Sequence, residues 1–238
     1  MKTLFIAVTL IALAFGHAQA QGWTGAWEST AGDVRTTRIY SAGFFSVATY
    51  NVKEKKFEGT YGGKYTLDGN TLIETIEFDT WQSATIGTQV KTKWEKKKNT
   101  LTLTHEKGKT TYAMVDDGGP GKVAGAWLIT GRFENGELRK MTPGARRTMK
   151  ILSGTRFQWI AYNVETKEFF GTGGGTYTTT DGKYTETIEF FSRDASRVGM
   201  SLGFDFILMD DGGWRHSGKS SKGDPIDEIW TQREKLGI

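Results

Sequence analysis

The chain has 238 residues, 31 Lys and Arg against 27 Asp and Glu, 13% aromatics, 31 Gly, 3 Pro and no Cys. The missing Cys excludes disulfides, thiolate metal sites, thiol catalysis and acylation of an N-terminal cysteine. A formal charge of +4 is too weak a field to argue for a nucleic-acid partner.

In chain order, the first segment reads as an export signal. Lys2 is followed by an apolar run from Leu4 to Phe15, and Ala18-Gln19-Ala20 supplies the small-x-small cleavage pattern. Residues 1–20 are therefore expected to be removed, and the protein to be periplasmic or secreted. The apolar run is short for a membrane span, and no later segment suggests one. No Cys follows the cleavage site to carry a lipid anchor. Without His17 the mature chain keeps His105 and His216, too few for a three-histidine metal site. No metal or cofactor is expected.

The remaining chain is a repeat. Gly25-Ala26-Trp27 recurs as Gly125-Ala126-Trp127, and Tyr50-Asn51-Val52 as Tyr162-Asn163-Val164. Glu74-Thr75-Ile76-Glu77-Phe78 recurs 112 residues on as Glu186-Thr187-Ile188-Glu189-Phe190. Residues 50–78 and 162–190 align without gaps at 16 identities in 29 positions. Copy one spans about 22–119 and copy two about 124–238, joined by Asp117-Gly118-Gly119-Pro120-Gly121. Copy two carries an insertion over 131–147 with the turn dipeptides Asn135-Gly136 and Pro143-Gly144.

Each copy reads as about eight strands. In copy one they fall near 24–30, 34–41, 44–52, 56–66, 71–79, 87–95, 100–105 and 110–115. Threonine, β-branched and aromatic residues fill the runs, and Gly, Asn and Asp punctuate them. The connections are too short for parallel crossovers. The fold expected is therefore all-β, with two tandem small antiparallel up-and-down β-barrels, since closing each sheet removes its edges. A β-sandwich per copy is the alternative.

Gly-x-Trp on the first strand, about eight antiparallel strands and Trp230-Thr231-Gln232-Arg233 on the last resemble the calycin superfamily, the lipocalins and their relatives. That resemblance implies that Trp127 packs against Arg233 at the closed end of copy two. Copy one has Trp27 but no Arg on its last strand. More narrowly, Phe157–Asn163, Phe169–Gly175 and Phe190–Asp194 are similar to a bacterial lipocalin-like family of exported proteins described only as membrane or secreted protein. The resemblance implies a fold and no activity.

The candidate ligand residues are Trp159, Tyr162, Tyr184, Glu186, Phe190, Arg193, His216 and Asp227. Tyr184, Glu186, Ile188 and Phe190 alternate onto one strand face. If that face points inward, Glu186, like Glu74, is a carboxylate among apolar walls and needs a partner. Arg193, Arg215-His216 and Asp227 form a polar cluster near a long loop, where a barrel mouth would admit a ligand. Gly171-Thr172-Gly173-Gly174-Gly175 has strand on both sides, so it reads as a coiling bulge and not a phosphate loop. The basic runs 91–98 and 139–147 read as solvated edges or as a surface for anionic glycans. No Gly-x-Ser-x-Gly elbow is present, and catalysis is not the favoured reading. The expectation is a small, mostly apolar ligand bound chiefly in copy two, which should hold the larger and more polar pocket. The alternative is a cell-envelope or glycan interaction module with packed barrels.

Overall fold

The computed structural model describes residues 23–238, so the expected export signal lies outside the described residues. The first barrel closes from β1 (Gly25–Ala31), β2 (Val34–Ser41), β3 (Phe44–Asn51), β4 (Lys56–Asp68), β5 (Thr71–Asp79), β6 (Gln89–Lys97), β7 (Thr100–His105) and β8 (Gly108–Asp116). The second uses β9 (Gly125–Glu134), β11 (Arg146–Leu152), β12 (Arg156–Asn163), β13 (Phe169–Thr180), β14 (Lys183–Phe191), β15 (Ser201–Leu208), β16 (Trp214–Lys219) and β17 (Pro225–Gln232), closed by pairing of β17 with β9. The copy-two insertion adds β10 (Glu137–Lys140), which pairs only with β9 and extends it as a rim hairpin. A last short helix, α1 (Arg233–Leu236), follows β17. All neighbouring strands are antiparallel, and each closed barrel has eight of them. Among the described residues no helix is long and apolar enough to cross a membrane.

The local chemistry explains the tight connections. Ala42-Gly43, Asn135-Gly136 and Asp181-Gly182 hold both residues at positive φ, the geometry that matches hairpin twist. One end of each barrel is plugged by aromatics. In the first, Trp23, Trp27, Tyr40, Phe45, Tyr65 and Tyr112 pack with Leu72, Leu101 and Leu103. In the second, Trp127, Tyr177, Tyr184, Phe204, Trp214 and Trp230 do the same.

A β-bulge on the β4–β5 and β13–β14 pairs decides which side chains face where. Gly63 pairs with Ile76 and Gly62 with Phe78, leaving Glu77 as the extra residue. Gly175 pairs with Ile188 and Gly174 with Phe190, leaving Glu189 extra. Gly63 and Gly175 have φ of 159° and 155°, and a Cβ on either would lie 2.1 Å from a carbonyl oxygen across the pair. Beyond the bulge the alternation inverts. Glu74 and Glu186 point into their barrels, whereas Phe78 and Phe190 point out.

The residues turned outward build the contact between the barrels, with a pseudo-two-fold relation at the repeat offset of 112. The Tyr162 hydroxyl donates to Glu77 at 2.7 Å, and Tyr50 donates to Glu189 at 2.7 Å. Arg147 reaches Glu77 at 3.2 Å and Arg35 reaches Glu189 at 3.3 Å. The rings of Phe78 and Tyr162 lie 4.9 Å apart, those of Tyr50 and Phe190 4.8 Å. Near the axis Phe57 stacks on Phe169, and Gln158 Nε2 donates to both Thr60 and Thr172. Symmetry breaks in the second guanidinium. Arg156 serves Glu189 at 2.8 Å, but its counterpart is Phe44. Arg233 serves Glu77 instead, at 2.9 Å, with its guanidinium 4.1 Å from the centre of the Phe44 ring.

Arg233 is fully buried in this contact, beside Met149 and Tyr162. The closing pair implied for Trp127 and Arg233 does not form. Trp127 points inward and donates to the Val123 carbonyl, while Arg233 leaves the barrel to meet Glu77. Asp116, at the end of β8, accepts from Ser153, Gly154 and Thr155 and so anchors the linker to the second barrel. Between Ile39, Tyr50, Phe157 and Phe190 the seam leaves a cavity of about 10 Å³, about the space of a single water, and at its edge an open groove of about 410 Å³ separates Glu54–Phe57 from Phe191–Ala195.

Burial pushes the Glu77 and Glu189 carboxyls up, but the hydrogen-bonded guanidiniums, Arg233 foremost at Glu77 and Arg156 at Glu189, bring both below the ordinary 4.5. The stabilisation is therefore complete above 4.5 and is lost as pH falls through the lower native values. Urea unfolding should show it. Glu77→Leu, which leaves Arg233 buried without its carboxylate, should cost about 3–5 kcal/mol. Glu77→Leu combined with Arg233→Met and Arg147→Met should recover most of that loss and reduce the acid dependence to the part that Glu189 contributes. A single variant as stable as the parent would show that the contact does not bear on folding.

Candidate functional site

The interior of the first barrel is filled. Arg38, on β2, donates to Glu74 at 2.9 Å and to Tyr40 at 2.7 Å, and its other terminal nitrogen bonds Tyr61. Tyr112 lies against the same guanidinium. Both terminal nitrogens of Arg38 have partners, while its Nε has none among the described residues, and the Tyr61 and Tyr112 rings pack against the guanidinium.

The second barrel keeps the pair but changes its surroundings. The counterpart of Arg38 is Lys150, whose Nζ donates to Glu186 at 2.7 Å. The counterpart of Tyr61 is Gly173, set between Trp159 and Phe191 where the first barrel has Val47 and Asp79. Side-chain volume thus moves from the strand centre to the flanks, and no group of β13 reaches Lys150. Above Lys150 opens a cavity of about 450 Å³, within the usual range for small-molecule pockets.

The floor of this cavity is a polar layer on the aromatic plug. Lys150 and Glu186 are each 5% exposed and His216 2%. Tyr184 donates to the same Glu186 oxygen that Lys150 engages, at 2.7 Å. His216 Nε2 lies 3.5 Å from Lys150 Nζ and 3.6 Å from Glu228. Nε2 would accept from the Lys150 ammonium or donate to the Glu228 carboxylate according to the tautomer, and Nδ1 has no hydrogen-bond partner among the described residues. Lys150 Nζ also lies within 5.9 Å of the ring centres of Tyr184, Phe204, Trp214 and Trp230. Burial, helped by Lys150, holds His216 well below its ordinary 6.5. Burial pushes the Glu228 carboxyl up, against the pull of Lys150 and Arg132.

Walls and rim differ from the floor. Trp159, Ala161, Ile188, Phe191, Leu202 and Ile226 make an apolar wall. At the rim stand Arg132, Arg146, Arg193 and Lys222, with Asp224. Arg132 is paired with Glu228 at 3.2 Å. Arg146 lies over the Phe170 ring at 4.6 Å, and Arg193 bonds the Phe170 carbonyl beside Trp159.

Four of the eight residues expected from the sequence line this cavity: Trp159, Glu186, Arg193 and His216. Tyr184 is buried beneath the floor and meets the cavity only through Glu186. Tyr162 and Phe190 do not reach it; both belong to the contact between barrels, turned there by strand alternation and by the bulge. Phe191 takes the place expected of Phe190. Asp227 points to the outer face, where Arg215 holds it at 2.7 Å over Phe133, while its neighbours Ile226 and Glu228 face in. Lys150, Glu228, Arg146 and Phe170 were not expected. Lys150 carried a signal: a cation at the same repeat position as Arg38, inside the apolar run Met149–Leu152.

The first barrel also bears a depression, of about 760 Å³, larger by volume than the cavity of the second. It runs along Val90–Thr92 and the hairpin His105–Thr110; Val90, Thr92 and Thr110 match Leu202, Phe204 and Glu228 of the second cavity by strand register, but none of Arg38, Glu74 or Tyr61 lines it, so it stops short of the charge pair. Against expectation, then, the larger hollow by volume is in copy one; the hollow of copy two is the one that reaches its charge pair, Lys150 and Glu186. Among the described residues no cluster of His, Asp and Glu could hold a metal. Comparison of the sequence with family models and with curated proteins found no match.

With His216 held below 6.5, the unfolded chain takes up a proton that the native protein refuses. Stability is full above 6.5 and falls as pH drops below it, by at most about 1.4 kcal/mol per pH unit. His216→Leu, the residue at the matching position Leu103, should remove this slope between pH 6.5 and 5. Denaturant midpoints across that window read the difference, and parallel curves for the two proteins would contradict the buried neutral imidazole.

Proposed function

We propose that this is an exported, calycin-like protein whose second barrel binds a small, mostly apolar ligand, with the first barrel as its structural partner. The observation that carries the reading is the contrast between two interiors built on one repeat. Where Arg38, Tyr61 and Tyr112 fill the first barrel, Lys150 and Gly173 leave about 450 Å³ in the second, walled by Trp159, Ile188, Phe191 and Leu202. A void of that size with buried charges at its base weakens a domain, because packing is lost and the charges are incompletely solvated. A ligand would supply both the contacts and the missing partners. The signal-like residues 1–20 support export, and the barrel architecture agrees with the calycin resemblance.

Native mass spectrometry of protein purified from the cells that make it should show an adduct, released on denaturation. Ala161→Trp places an indole in the cavity from an inward-facing wall position. It should abolish the adduct while leaving the unfolding midpoint within about 1 kcal/mol of the parent, since the site has room. A bare mass for the parent, together with no shift of its tryptophan emission by apolar probes, would sink this reading.

A further inference from the structure

The charges of the cavity are sorted by depth. At the rim, Arg146, Arg193 and Lys222 face one carboxylate, Asp224. Arg132 is set aside by its pair with Glu228. Among the described residues Arg146 has no carboxylate partner and lies over the Phe170 ring, and Arg193 bonds a neutral carbonyl. The mouth therefore carries uncompensated positive charge beside apolar walls, which attracts and holds an anion.

The floor is different. Lys150 is neutralised by Glu186, and His216 is uncharged, so the layer offers hydrogen bonds without a net field. Both bonds to Glu186 go to Oε1, from Lys150 and Tyr184, which leaves Oε2 as an acceptor. Lys150 has three protons, with Glu186 and His216 as its protein partners. A donor and an acceptor side by side suit a hydroxyl, which is both. They suit a hydrocarbon end badly, because it would strip water from these groups and return nothing.

Resting on the reading of this cavity as a ligand site, we propose that its ligand is a bipolar organic anion. Its carboxylate-type group sits at the Arg146–Arg193–Lys222 rim, its middle is apolar, and an uncharged hydroxyl-type group lies on the Lys150–Glu186 floor. A plain long-chain carboxylate satisfies only the rim, and a plain alcohol only the floor.

Titration calorimetry on the full chain with decanoate, 10-hydroxydecanoate and 1,10-decanediol separates these terms. The hydroxy acid should bind about tenfold more tightly than either of the others, the worth of one buried charge-assisted hydrogen bond. Its advantage over the diol should shrink as salt is raised, because the rim is exposed. The Arg146→Gln/Arg193→Gln double variant changes two exposed side chains and should fold. It should lower the affinity of the hydroxy acid to that of the diol and leave the diol unchanged. Equal affinities for all three, or decanoate the tightest, would overturn the bipolar assignment while the cavity stays a ligand site. No binding of any probe alongside a native adduct would also overturn it. No probe bound and no adduct would remove the ligand reading itself.

Discussion

The bulge at Gly63 and Gly175 is the constraint on which both the assembly and the cavity depend. Each glycine sits so close to the opposing strand that a side chain would strike a carbonyl. The extra residue it admits, Glu77 or Glu189, changes the parity of the strand. On one side of the bulge a glutamate three residues earlier, Glu74 or Glu186, points into the barrel and pairs with a cation. On the other side the bulged glutamate points out and pairs with arginines of the contact. Five residues of one strand thus carry both the charged floor and the joint between barrels.

The two copies show how such a framework diverges without losing its fold. The repeat preserves what the bulge requires: the glycines, both glutamates, Tyr50 and Tyr162, Thr60 and Thr172. It varies what fills the barrel. Arg38 with Tyr61 is a closed hydrogen-bonded unit; Lys150 with Gly173 is shorter and leaves a vacancy above it. Leu103 in the first barrel becomes His216 in the second, and Thr110 becomes Glu228, by strand register. Each change adds polarity or removes volume in copy two. The asymmetry at the joint has the same origin: a Phe at position 44 cannot do what Arg156 does, so a C-terminal arginine crosses over to do it.

Much of this was legible in the sequence. The repeat, the strand runs and the turn dipeptides are local features, and they specify the antiparallel all-β barrels directly. Glu186 could be placed inside because alternation over Tyr184, Glu186 and Ile188 holds up to the bulge. Gly171–Gly175 could be read as a bulge region, but not which residue it would leave unpaired. That depends on hydrogen bonding across two strands, and it sent Phe190 outward and Phe191 inward. Tyr162 lies three residues from Trp159, so a regular strand cannot aim both inward. Arg233 was assigned to Trp127 by resemblance; its partner Glu77 is 156 residues away, beyond any local pattern. Lys150 was passed over because a lysine in a strand usually marks a solvated edge, and only the match to Arg38 argues otherwise.

The charged floor is the most costly part of the second barrel, and its cost bears on what it is for. A buried Lys–Glu pair is roughly neutral for stability against a well-packed apolar substitute. His216 Nδ1 has no hydrogen-bond partner among the described residues, and the cavity above forgoes the packing contacts that side chains would make. The first barrel shows that this same repeat can enclose its charge pair, with both terminal nitrogens of Arg38 bonded and tyrosine rings packed against them. The framework therefore does not force the second interior to be open. A layer that is buried, polar and incompletely satisfied, beneath apolar walls and a cationic rim, is matched in chemistry to a molecule with the opposite arrangement of groups. The ligand proposed for the second barrel would return the contacts and hydrogen bonds that its own side chains leave unmade.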